Sequence, residues 1–184
     1  FYSAQQGHLF EAVFLEKLID LRASGAIPYI NIFVRDHPLA VAKPGRFSRF
    51  LSLSNVHIEK PAEVMTSSDL TDLIQALRCC DININCSSSV SLEAVLADKP
   101  VINYIERSKP IFDYDHYRPL VKMGAVKLIE SDPVDLARAV NAYLDDPGLD
   151  KPNRTRAAEI YFPFRDGLSY KRNVDFLETI IRTN

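Results

Sequence analysis

Apolar residues along this chain follow two alternating patterns, one with helical spacing and one of short uninterrupted runs. Residues 9–21 carry apolar side chains mostly three or four positions apart, and Gly25 follows where a helix would end. Residues 27–34 form a short run of β-branched and aromatic residues, which predicts a strand. The first part of the chain therefore predicts a helix followed by a strand.

The same alternation continues toward the C-terminus. Further strands are predicted at residues 56–58, 81–86, 101–104 and 126–129, and helices at residues 70–77, 92–97, 134–144 and 168–182. Residues 40–54, which are mixed and contain Pro44 and Gly45, and residues 105–122, which are rich in Pro, Asp, Tyr and Arg, are predicted to be loops. Short strands that alternate with helices imply βαβ units with right-handed crossovers. We predict an α/β fold of Rossmann type, with one mostly parallel sheet, helices on both faces, and a single domain over residues 1–184.

Composition and charge narrow the class of protein. The chain has 184 residues, of which 47% are hydrophobic and 25% charged, the mix of a soluble globular domain. Its net charge of −2 argues against nucleic acid or an anionic membrane surface as the main partner. No apolar run is long enough to span a bilayer, and residues 1–10 do not resemble a secretory signal. We therefore expect a cytoplasmic protein. Since the sequence does not begin with Met, we also expect an upstream segment.

The three cysteines offer no obvious chemistry. Cys79 and Cys80 are adjacent, Cys86 follows closely, and the count is odd, which argues against an ordinary set of disulfides. Their spacing is not that of a zinc site. We expect reduced thiols that act as small apolar side chains near a strand.

In open parallel sheets, ligands bind beyond the carboxyl ends of the strands. Ser87, Ser88 and Ser89 directly follow the predicted strand that ends at Cys86. At such a turn we expect free backbone N–H groups at the helix start, which favour an anion, and the serine hydroxyls can hydrogen-bond phosphate oxygens. The alternative is that one serine caps the helix and the other two are solvated.

Two further residues are candidates for ligand binding because of their positions in the predicted sheet. Glu93 lies in the helix that follows the serines, where it would either accept hydrogen bonds from ribose hydroxyls or simply stabilise the helix dipole. His37 follows the strand that ends at Val34, and Pro38 stops that strand and restricts the histidine to extended backbone. An imidazole at this edge would contact a ligand phosphate, and the alternative is a surface histidine at a turn.

The segment from Glu93 to Ile102, together with Asp81 and the serines, resembles the C-terminal half of glycosyltransferases with the GT-B fold. In that half, a strand, a Ser-Ser turn, a helix beginning with Glu-Ala and a Lys-Pro-Val-Ile strand form the donor-nucleotide site. The stretch from Gly124 to Pro147, with Asp-Pro at a helix start and Asp-Asp-Pro at its end, is also typical of that half. The resemblance extends over most of the chain.

Two features point to a narrower group. The His37-Pro38 pair and the serines resemble motifs of bacterial sialyltransferases and of CDP-glycerol glycerophosphotransferases, which make surface polymers. Arg165 to Ser169, followed by Arg172, resembles the final Asp-Gly stretch and helix of the glycerophosphotransferases. The resemblance implies that His37 is catalytic and that Pro38, Ser87, Ser88, Ser89 and Glu93 bind a CDP- or CMP-linked donor.

The resemblance also implies the other partners. The donor would transfer a sugar or a polyol phosphate to an acceptor glycan or lipid-linked polymer, held by an N-terminal domain that this chain lacks. We expect neither a cofactor nor a metal, and peripheral association of the longer protein with the inner face of the cell membrane. The chain alone is expected to be inactive, and none of its residues is identified as the catalytic base.

Several alternatives remain open. A UDP-sugar 2-epimerase shares this half-fold, and a non-catalytic nucleotide- or partner-binding module would keep the fold without the chemistry. The sequence contains neither a Gly-rich Rossmann fingerprint nor a P-loop, which argues against NAD or ATP as ligand. His116 in the loop at 105–122 is expected to lie on the surface, and Asp113 with Asp115 is too small a set for a metal site.

Overall fold

The computed structural model describes residues 8–35, 45–59, 64, 66–86, 88–105 and 118–183. The strands are β1 (Ile32–Arg35), β2 (Val56–Glu59), β3 (Asn83–Asn85), β4 (Val101–Ile105) and β5 (Lys127–Glu130). The helices are α1 (His8–Ala23), α2 (Ser67–Cys79), α3 (Val90–Leu96), α4 (Arg118–Lys122), α5 (Pro133–Asp145), α6 (Lys151–Tyr161) and α7 (Ser169–Thr183). A 3₁₀ turn, Ser48–Phe50, precedes β2.

All described strand pairs are parallel. β1 pairs with β2, and β4 lies between β3 and β5. The predicted α/β class with parallel strands is confirmed. The prediction of one continuous sheet is not met within the described ranges, because β1 hydrogen-bonds β2, β3 hydrogen-bonds β4, and no described strand joins the two sheets.

Alternate residues of β4 point to opposite faces of the three-stranded sheet, and every residue of this strand is buried. Ile102 and Tyr104 pack with apolar residues of α1 and α5. Val101 packs on the other face with residues of α2, α3, α4 and α6. Helices therefore cover both faces of this sheet, as predicted.

Helix α1 is shared between the two sheets. Its Leu15 packs with Phe47, Phe50 and Val56 beside the two-stranded sheet, whereas its Leu18 belongs to the apolar cluster of the three-stranded sheet. Phe14 adds a ring contact to Tyr104, with 4.9 Å between centroids. The two sheets thus have one helix in common.

The other face of the two-stranded sheet has no such cover from α1. Phe33 and His57 are register partners there, and their rings stack with centroids 5.3 Å apart. Phe33 remains half-exposed.

Several predicted boundaries need correction. The first strand begins at Ile32 rather than at residue 27, although Ile27 itself is buried in the core. Residues 118–122, predicted as loop, form α4, because Leu120 packs into the core and anchors a short helical turn. Helix α6 was not predicted at all. None of the helices within the described ranges is both long enough and apolar enough to cross a membrane.

Candidate functional site

The turn between β3 and α3 is held in place by Asn85, the last residue of β3. Its side-chain carbonyl accepts a hydrogen bond from the Ser88 N–H at 2.9 Å. Its Nδ2 donates to Asn83 Oδ1 at 2.7 Å and approaches Ser91 Oγ at 3.1 Å. The serine turn is therefore fixed to the carboxyl end of the strand by side-chain hydrogen bonds.

This polar cluster extends beneath α3. Asn103 is the register partner of Asn85 on β4, and Ser91 Oγ lies 3.2 Å from Asn103 Oδ1. Asn103 is fully buried, and its Nδ2 has no hydrogen-bond partner among the described residues. This cluster was not predicted from the sequence. The available signal was that Asn83 and Asn85 alternate with Ile82 and Ile84, which marks a strand with one polar face.

The start of α3 offers fewer free N–H groups than the sequence suggested. The Ser91 N–H donates to the Ser88 carbonyl at 3.0 Å, and the Leu92 N–H to the Ser89 carbonyl at 2.9 Å. The Val90 N–H lies 3.4 Å from Ser88 Oγ, which gives this serine a weak capping role. The expectation of several free donors is therefore wrong here, because the tight turn and Asn85 use most of them.

Ser89 occupies the cap position of α3 but does not cap it with its side chain. Its backbone is helical and its side chain is exposed. Its hydroxyl, unlike the neighbouring N–H groups, is open to a ligand. α3 spans only seven residues, so its dipole is short.

Glu93 lies in the first turn of α3, two positions after the buried Ser91. Two residues correspond to about 200° around a helix, so Glu93 is on the outward side and is exposed. Partial desolvation raises the pKa of the Glu93 carboxyl above its ordinary value, and a backbone hydrogen bond offsets part of that effect. The structure thus brings Ser88, Ser89 and Glu93 together around one helix start.

The carboxyl end of the two-stranded sheet holds an ion pair. Arg35 ends β1 and bonds its register partner Glu59 at 2.8 Å, while its second guanidinium nitrogen donates to the Asp69 carbonyl at 2.9 Å. This arginine ties β1 to β2 and to the start of α2. Three predicted site residues, His37, Pro38 and Ser87, lie outside the described residues, as do Asp113, Asp115 and His116.

A groove of about 640 Å³ lies along β5 and α5. Lys127, Glu130 and Arg138 are among its lining residues, and it includes none of the predicted site residues. Within the described ranges, no group of three or more His, Cys, Asp or Glu side chains is placed to hold a metal ion. The absence of a metal from the chemistry stays a prediction.

Comparison with known proteins identified no relative of this chain. No protein-family model matches the chain, and no curated protein and no solved structure matches it.

Proposed function

We propose that this chain binds a nucleotide-activated donor, CDP- or CMP-linked, beyond the carboxyl ends of its strands. It would form the donor half of a glycosyltransferase-like enzyme that transfers a sugar or a polyol phosphate during the synthesis of surface polysaccharides in the cytoplasm. The observation that supports this most directly is the position of Ser88 and Ser89, at the end of β3, with Glu93 one turn further along. Parallel sheets of this type bind their ligands at such turns.

In this proposal the phosphates lie against the serine turn. The Ser89 hydroxyl donates to a phosphate oxygen, and the Ser88 hydroxyl does the same while its oxygen still accepts from the Val90 N–H. Ser87 and His37 complete the contacts to phosphate, with Pro38 orienting the histidine. Together these donors stabilise the negative charge that develops on the leaving nucleotide as the bond to the transferred group breaks.

Glu93 is assigned to the ribose. As a carboxylate it accepts hydrogen bonds from ribose hydroxyls, and as a neutral acid it loses much of this capacity. Because partial desolvation raises its pKa, affinity for the donor is expected to fall as the pH drops through that raised value. The Glu93→Gln variant should lack this component, so comparing its pH profile with that of the unmodified chain cancels the titration of the ligand itself.

The test is calorimetric titration of the chain with CDP, CMP, UDP and ADP. A hydrogen bond to a charged phosphate contributes about 1.5–3 kcal/mol, so His37→Ala or Ser88→Ala should weaken CDP binding by about tenfold to a hundredfold. Glu93→Gln should weaken it less. Ser68→Ala and Glu159→Gln are matched controls, since both residues are exposed on other helices, and both variants should bind as the unmodified chain does.

Equal affinity in the unmodified chain, His37→Ala and Ser88→Ala, with all three folded by circular dichroism, would refute the site. Preference for UDP would favour the epimerase-like alternative, and preference for ADP would exclude the cytidine assignment. The proposal also predicts that the chain binds the donor without turning it over, because the acceptor side belongs to another domain. Robust transfer by the purified chain would contradict the half-enzyme assignment.

A further inference from the structure

Helix α7 carries an apolar stripe that nothing in the described structure covers. Tyr170, Val174, Leu177 and Ile181 are spaced four, three and four positions apart, the a/d spacing of a two-stranded helical pair. Their exposed fractions are 68%, 50%, 57% and 74%. A stripe of this spacing buries its side chains when a second helix packs along it.

The opposite side of α7 is occupied by contacts within the chain. Arg172 stacks its guanidinium over the Phe164 ring, 4.1 Å from the centroid, and pairs with Asp166. Asp166 also accepts a hydrogen bond from the Leu168 N–H at 3.0 Å, just before the helix begins. These contacts fix the preceding segment to the side of α7 that faces away from the stripe.

We propose that the stripe is an interface between two copies of this chain, with their α7 helices packed antiparallel. In that arrangement Val174 faces Leu177 of the second copy, and Tyr170 faces Ile181. The pairing repeats by two-fold symmetry, which gives four apolar layers. This inference concerns a surface separate from the donor site and does not depend on it.

Charge complementarity selects the antiparallel arrangement. Lys171 and Glu178 are seven residues apart and therefore flank the stripe on the same side. In an antiparallel pair, Lys171 of each copy lies beside Glu178 of the other. The two-fold axis makes two such pairs. In a parallel pair, Glu178 would instead face Asn173, and Lys171 would face Asp166, which lies before the helix and is already paired with Arg172. The parallel form therefore has no opposite-charge pair between the two helices.

The interface is short, so the dimer should be weak, and its measurable signature is a concentration-dependent mass. Sedimentation velocity over a protein concentration range reaching about 1 mM should show the chain passing from monomer to dimer. Val174→Glu, which places a charge in the seam, should abolish dimerisation. Phe176→Gln is the matched control, because Phe176 is an exposed apolar residue of the same helix outside the stripe.

A charge exchange tests the orientation. Lys171→Glu alone and Glu178→Lys alone each place like charges side by side and should weaken dimerisation about tenfold or more. The Lys171→Glu/Glu178→Lys double variant should dimerise as the unmodified chain does, and an equimolar mixture of the two single variants should form the mixed dimer. A chain that stays monomeric over this range, or single variants that dimerise as well as the double variant, would overturn the proposal.

Discussion

Arg154 places a guanidinium in the core between α3 and α6, with only 1% of the residue exposed. Its nitrogens donate to the Leu149 carbonyl at 2.6 Å, to the Pro147 carbonyl at 3.0 Å and to Asp98 Oδ1 at 3.1 Å. These bonds satisfy two carbonyl groups of the loop after α5 and connect that loop to Asp98, which follows α3. Removing this arginine leaves the Leu149 and Pro147 carbonyls without their donor, whereas Asp98 keeps its ion pair with Lys151 at 2.9 Å.

Arg154→Met should therefore lower the free energy of unfolding by about 2–4 kcal/mol, because the hydrogen bonds of a buried guanidinium to two carbonyls are lost. Arg156→Met is the control, because Arg156 is exposed on the same helix, and its effect should stay within about 0.5 kcal/mol. Urea denaturation of both variants measures the difference. Equal stabilities for the two would show that the buried network contributes nothing.

The partner of this arginine makes stability depend on pH. Desolvation alone would raise the pKa of Asp98, but hydrogen bonds from Lys151 and Arg154 outweigh it and hold that pKa below its ordinary value. Since the folded pKa is lowered, the carboxylate stabilises the fold above the ordinary value. This contribution disappears as the pH falls through the lowered value.

Asp98→Asn is expected to lower stability by about 1–2 kcal/mol at neutral pH, allowing for the partial exposure of the carboxylate. Asparagine also tolerates the left-handed backbone at this position, where φ is +56°. The gap between the variant and the unmodified chain should then close below about pH 4. A gap that is constant down to strongly acidic pH would contradict the ion-pair explanation.

Gly124 ends α4 with a φ of +68°, and a Cβ at this position would lie 2.9 Å from Asn153 Nδ2. Gly25 has a similar φ of +75° but open space around it. Gly25→Ala should cost about 1–2 kcal/mol from the backbone alone. Gly124→Ala should cost about 0.5–1 kcal/mol more, because Asn153 must move and its hydrogen bond to the Gly124 carbonyl is lost. Thermal unfolding of the two variants separates the backbone effect from the steric one.

Among the elements, α2 shows how local chemistry fixes a helix start. The helix was predicted from the sequence at residues 70–77, whereas in the structure it begins at Ser67 with Thr66 as its cap. Thr66 Oγ1 accepts from the Asp69 N–H at 3.3 Å, and the Asp69 carboxylate accepts from the Thr66 N–H at 2.8 Å. This reciprocal pair is a capping box, and it extends the helix three residues before its predicted start.

Thr66→Ala should lower the free energy of unfolding by about 0.5–2 kcal/mol. Ser68→Ala, in the same turn but outside the capping box, should have almost no effect. Chemical denaturation checks both. If the serine variant were the more destabilised of the two, the assignment of the cap to Thr66 would be wrong.

The pattern of apolar residues predicted those helices and strands well whose buried faces consist of apolar side chains. The start of α5 is an example, since Asp132-Pro133 was predicted to open a helix and Pro133 is the first residue of α5, with Asp132 as its cap. Helix α6 was not predicted because its buried residues are one charged and two small ones, Arg154, Ala157 and Ala158. Burial of such residues is determined by tertiary partners, and no local pattern indicates it.

For the molecule as a whole, α1 should make the two sheets unfold together. Leu15 packs beside one sheet and Leu18 beside the other, and each is nearly fully buried. Leu15→Ala and Leu18→Ala should each cost about 2–5 kcal/mol and shift one common unfolding transition. Val13→Ala, on the exposed side of α1, should cost far less. Two separate transitions by fluorescence and circular dichroism would show that the sheets are independent.

At this scale the sequence predicted the α/β class, the parallel strands and the helices on both faces. It also pointed to the turn after β3, because strand–turn–helix order follows from local periodicity. It did not predict the hydrogen bonds of Asn85, Ser91 and Asn103, which join residues from two strands and a helix. That cluster decides how many N–H groups remain at the turn, and only the assembled structure determines its geometry.

The shared position of α1 has a consequence for synthesis of the chain on the ribosome. α1 emerges before either sheet, so its apolar side chains are first exposed without partners. Phe47, Phe50 and Val56 follow soon afterwards and can cover Leu15 while translation continues. The cluster that buries Leu18 includes Ile102, Tyr104 and residues 136–143 and is complete only when α5 has been synthesised, more than a hundred residues further along. Nascent chains arrested after β2 should therefore bind chaperones through one side of α1, and chains arrested after α5 should release them.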